Sequence, residues 1–175
     1  MNHRRTIDFA GLTLQDALDL GILIEEDARE RYSEFVEQLE EHATRGPAAF
    51  FQTMVVNETK HRDWLTERRR QLFGAAPSRM NAAMLYEIEA PEYRDAQVFM
   101  TVRQALDVAM KAEIRAFNFF ADALKHTRDP KVVELFAELR DEEAEHQQMV
   151  QYQIDRLPTR SEPDTEGQAD EPVGH

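Results

Sequence analysis

The chain contains Glu58-Thr59-Lys60-His61, and the same pattern returns at Glu143-Ala144-Glu145-His146. Residues three apart on an α-helix project from one face, one turn apart along the axis. A carboxylate and an imidazole so placed can grip one cation together. A single copy is weak, because with 34 acidic residues among 175 a chance Glu three before a His is common. The two copies gain weight from what surrounds them. Phe50-Phe51 aligns with Leu135-Phe136, Met54 with Leu139, and Trp64 with Met149. Further upstream, Thr13-Leu14-Gln15-Asp16-Ala17-Leu18-Asp19-Leu20 aligns with Thr101-Val102-Arg103-Gln104-Ala105-Leu106-Asp107-Val108. Continued without a gap, Glu25 meets Glu113, Ala28 meets Ala116, and Tyr32 meets Phe120. An internal repeat of two helices points to a duplicated helical hairpin with a pseudo-two-fold axis.

Apolar periodicity predicts four helices. The first runs from Thr13 to about His42 and opens on the capping pattern Thr13-x-x-Asp16. Gly46-Pro47 opens the second, with Pro in the first turn, and Gly74 closes it. The third begins near Thr101 on the capping pattern Thr101-x-x-Gln104, and Asp129-Pro130 marks the break before the fourth. The stretch 75–100 is too long for a hairpin turn and suits a crossover along the bundle, with a short helix over Met80–Glu89. These features predict an all-α four-helix bundle over residues 1–157. The stretch 158–175 is acidic, lacks apolar periodicity and is expected to be disordered. Trp64 and the aromatics Phe117, Phe119 and Phe120 are read as core, and Glu142 as a solvated helix face.

Composition narrows the function. The sequence has no cysteine, so disulfides, thiolate zinc sites and iron–sulfur clusters are excluded within it. Any transition metal must be held by His and carboxylate, which favours iron or manganese and leaves zinc open. Lys and Arg number 21 against the 34 acids, for a formal charge of −13. Such a surface repels phosphate backbones and anionic lipid, so neither nucleic acid nor membrane is expected as a partner. No apolar run approaches the roughly 20 residues that a membrane helix needs, and the N-terminal stretch lacks a secretory pattern. A cytoplasmic location is the expectation.

Glu25 and Glu113 each lie on the apolar stripe of their helix. A carboxylate facing a core is costly unless it is paired or coordinated. The inventory is one Glu from each of two helices and a Glu-x-x-His from each of the other two. That is the ligand set of ferritin-like di-metal carboxylate bundles. Over Thr13–Leu157 the sequence resembles the ferritin-like superfamily, and within it the rubrerythrins. The segment Glu25-x-x-Ala28-x-x-x-Tyr32 is similar to their first ligand helix. The resemblance implies a di-iron centre bridged by Glu58 and Glu143. Glu25 and His61 would complete one iron, and Glu113 and His146 the other. These six residues would be both ligands and reacting centre.

The resemblance further implies reduction of dioxygen or hydrogen peroxide, as a ferroxidase or peroxidase, and a homodimer or higher homo-oligomer. Two departures bear on this. Ala116 stands where rubrerythrins carry an additional carboxylate, and the rubredoxin-like domain with its four cysteines has no counterpart here. Electrons would then come from an external donor. Tyr32 is read either as a hydrogen-bonding partner of a ligand carboxylate or as core, and Asn57 as a support for the histidines, a role also open to Glu142. Other readings stay open: a di-iron hydroxylase of an organic substrate, an iron-storage assembly, or a non-enzymatic bundle holding a redox-silent metal such as zinc.

Overall fold

The computed structural model describes residues 7–41, 45–87 and 101–158. Four long helices carry the fold: α1 (Leu14–Glu41), α2 (Arg45–Phe73), α3 (Val102–His126) and α4 (Pro130–Asp155). Two 3-10 turns, Phe9–Gly11 and Ala82–Glu87, flank them, and the described residues contain no strand. The short turn at 82–87 stands where a short helix is expected. The end of the crossover and the stretch 159–175, including the expected disordered tail, lie outside the described residues.

Local chemistry sets the helix ends. Asp16 accepts from the Thr13 amide at 3.0 Å and its hydroxyl at 2.6 Å, and the Asp16 amide donates back to Thr13 Oγ1 at 3.2 Å. Thr101 and Gln104 form the equivalent reciprocal cap on α3. Asp129 caps α4 by accepting from the Lys131 amide at 2.9 Å, with Pro130 in the first turn. Gly74 ends α2 at φ 56°, a left-handed conformation that glycine adopts without a Cβ penalty.

Within each half the helices run antiparallel. Asp19 on α1 pairs with Arg69 on α2 at 2.7 Å, Glu26 with Arg62 at 2.7 Å, and Tyr32 stacks on Phe51 at 5.8 Å. In the other half Phe120 meets Phe136 at 5.5 Å, and Gln147 donates to the Glu113 carbonyl at 3.3 Å. The halves approach closely at Gly21, where an added Cβ would lie 3.2 Å from both Leu65 on α2 and Leu139 on α4.

The buried apolar residues fall into two clusters along the bundle. One is built around Leu18, Leu65, Phe120, Phe136 and Leu139. The other is built around Tyr32, Phe35, Phe51, Met54, Leu106 and Val150. On every helix the sequence passes from one cluster to the other, and on every helix a glutamate lies at the passage: Glu25, Glu58, Glu113 and Glu143.

Candidate metal centre

That polar layer is buried. Glu25, Glu58, Glu113, Glu143 and His146 all lie in the interior, and only His61 reaches solvent, with 27% of its side chain exposed. The i,i+3 spacing on α2 and α4 turns each Glu-x-x-His pair inward, as the repeat predicts. His146 Nδ1 sits 3.2 Å from Glu58 Oε1, 3.4 Å from Glu113 Oε2 and 3.8 Å from Glu143 Oε2. His61 Nδ1 sits 3.7 Å from Glu25 Oε2. The two imidazoles face each other, centroids 5.5 Å apart and planes 14° from parallel. Three groups of side chains can each converge ligand atoms within 4.8 Å: Glu58, His61 and His146; Glu113, Glu143 and His146; and Glu25, His61 and Glu142. All six residues singled out from the sequence therefore meet in one place.

The donor set fits divalent cations. Glu25 Oε2, Glu58 Oε1, Glu113 Oε1, His61 Nδ1 and His146 Nδ1 are buried and make no hydrogen bond. Native interiors rarely leave such groups unsatisfied, because each costs desolvation without return. A cation between them would supply the missing partner. Four carboxylates balance the charge of two divalent ions.

Protonation follows the same logic. Burial pushes the Glu58 and Glu143 carboxyls well above the usual carboxylate range, and the neighbouring charges of Glu25 and Glu113 add to this. Burial also pushes Glu113 up, but His146 outweighs it and leaves Glu113 below its ordinary value. Burial works against a charged His146. Glu113, Glu143 and Glu58 overcome it and push the imidazole up to about 12. His61 is raised chiefly by Glu25 beside it. Glu58, Glu143, His61 and His146 are thus all shifted toward proton binding, so protons and cations would compete for the layer. Arg31, buried on α1 and paired with Asp27, adds a fixed positive charge that draws Glu58 and Glu113 downward.

Several expectations need correction. Glu142, favoured as a solvated face, instead takes the other position open to it beside a histidine, with Oε2 3.6 Å from His61 Nδ1. Trp64, read as core, is 46% exposed beneath the Arg68 guanidinium, 5.3 Å from the ring centroid. Asn57 turns its amide toward Met149 Sδ at 4.0 Å rather than toward a histidine. Of the two readings of Tyr32, core packing holds: the ring is buried, and its hydroxyl makes no bond to a ligand carboxylate. The sequence carries one sign of Glu142: its equivalent in the repeat is Asn57, so the two halves differ by a carboxylate there.

A four-helix bundle that buries this glutamate and histidine set is a metal-binding carboxylate–histidine bundle. The model of the rubrerythrin family matches residues 16–153, and the chain belongs to that family. It is also similar to the crystal structure of an uncharacterized conserved protein from Magnetospirillum magnetotacticum MS-1. The identity is 31%, the match covers 86% of this chain and 99% of the other, and the TM-score is 0.73. No curated protein matches the sequence. None of the described helices is long and apolar enough to cross a membrane.

Proposed function

We propose that the protein is a non-haem di-iron oxidoreductase that reduces dioxygen or hydrogen peroxide, in iron handling or peroxide removal. The observation that carries this reading is the layer of buried, unpartnered carboxylate and imidazole atoms between two apolar clusters. Two irons would be held by Glu25, Glu58, His61, Glu113, Glu143 and His146. Glu58 and Glu143 would bridge, Glu25 with His61 would complete one position, and Glu113 with His146 the other. When bound, ferrous iron supplies the electrons and the open coordination positions at which an oxidant is reduced.

The chain's own residues do the rest. Binding through Nδ1 requires a neutral imidazole, so the proton that the surrounding carboxylates hold on His146 would leave on loading. The four carboxylates fix the charge. The apolar clusters above and below exclude bulk water, and Arg31 favours the ionised state of the carboxylates nearest to it. With no cysteine in these residues, electrons for repeated turnover come from an external donor. The reading includes a homodimer in the cytoplasm.

The direct test is anaerobic loading with ferrous iron followed by limiting oxygen or peroxide. Rapid oxidation, followed by visible absorbance and an oxygen or peroxide electrode, supports the reading. Iron that oxidises no faster than in buffer refutes it.

A further inference from the structure

The two halves of the repeat are not equivalent at the metal layer. His146 is enclosed, with 5% of its side chain exposed, whereas His61 opens to a surface cavity of about 320 Å³ lined by His61, Trp64, Glu138 and Glu142. At the inner position the α2 residue preceding the bridging Glu is Asn57, committed to Met149. At the outer position the matching α4 residue is Glu142, with one buried oxygen that makes no hydrogen bond. Glu142 Oε2 and Glu25 Oε2 flank His61 Nδ1 at 3.6 and 3.7 Å. Glu25 itself is 2% exposed, and its Oε2 makes no hydrogen bond while facing into the same group.

We propose that Glu142 is a seventh ligand, specific to the outer cation, and that this outer position fills from solvent through the cavity at His61, Trp64, Glu138 and Glu142. The inference rests on the two-cation reading above and adds to it a residue and an order. Glu25, His61 and Glu142 offer three donors at the mouth of the site. A carboxylate one-third exposed can meet a hydrated cation before the enclosed ligands do, then remain bound as water is shed. The enclosed position, held by Glu113, Glu143 and His146, has no such opening at His146. The outer ion is therefore the exchangeable one.

Cobalt(II) is a suitable probe, because its visible absorption reports ligand number without redox turnover. The full chain is titrated beside Glu142→Gln, which keeps the side chain's shape, and Glu145→Gln, which removes an exposed charge from the same helix. Wild type and Glu145→Gln should bind two ions. Glu142→Gln should bind one ion as wild type does and the second at least about tenfold more weakly, with altered absorption at that site only. Circular dichroism and the retained ion show that the variant is folded. Two ions bound by Glu142→Gln with wild-type affinity and spectrum overturn the Glu142 assignment while leaving the two-cation reading intact. Equal weakening by Glu145→Gln overturns it as well, since the effect would then be one of net charge. Wild type that binds no cobalt overturns both.

Discussion

His146 shows most plainly how the site works at the scale of single residues. Its imidazole is raised to about 12 by the carboxylates around it, and His61 is raised by Glu25. His146 therefore carries a proton at neutral pH, and Glu58 and Glu143 are pushed toward their protonated forms. A cation competes with those protons, so affinity must fall as pH falls and loading near pH 7 must release protons. Calorimetric titration with a divalent cation in buffers of different ionisation enthalpy measures the release. At least about one proton per chain is expected, and heats that are independent of buffer would contradict the protonation pattern. The six central residues were legible in the sequence because a carboxylate on an apolar stripe violates a strong rule, and the repeat made the violation recur. Trp64 was not, and for Glu142 the sequence left a solvated face and a place beside a histidine both open. Each lies near the edge of its helix's buried face, where exposure depends on how the neighbouring helix packs rather than on spacing along its own.

At the scale of elements, the start of α1 combines two devices. Asp16 closes the capping box with Thr13 and also accepts from Arg79 Nε at 3.0 Å, which ties the crossover's first residues to α1. Burial pushes the Asp16 carboxyl up, but Arg79 and the Thr13 bonds outweigh it and hold it below the usual range. A carboxyl depressed in the folded state adds stability that is present above its unfolded pKa of about 3.9 and lost as pH falls through the folded value. Asp16→Ala should therefore cost about 1–3 kcal/mol at pH 7. The gap from wild type should shrink near pH 3 in urea unfolding. An equal gap at both values would place the Asp16 contribution in packing instead.

The caps at Thr13 and Thr101, and the break at Asp129-Pro130, were readable because they use side chains close in sequence. The bond from Asp16 to Arg79 spans the crossover, and no local pattern announces it. Within the stretch Met80–Glu89, where a short helix is expected, the described chain forms a 3-10 helix over Ala82–Glu87.

For the molecule as a whole, two apolar clusters enclose a polar layer that is unsatisfied without cations. Folding and loading are therefore linked. A ligand at a hundred times its dissociation constant adds about 2.7 kcal/mol per site. For a domain of this size that corresponds to a rise in melting temperature of about 5–10 °C per ion. Differential scanning calorimetry with manganese(II), before and after chelation, reads this shift; an unchanged melting temperature would mean that the layer does not take cations. The overall architecture was legible because duplication writes the hairpin twice and each copy checks the other. The asymmetry between an enclosed and an open position was not, because it arises from packing between the halves.

The function proposed for this protein depends on a shared two-ion centre. Its most direct measurement is metal per chain after anaerobic loading with ferrous iron and desalting, for wild type, Glu58→Ala and Glu143→Ala. Wild type should hold about two irons, as the ligand set of such bundles implies. Each variant should lose both, because each removes a proposed bridge. Either variant still holding two irons, or wild type holding none, would contradict it.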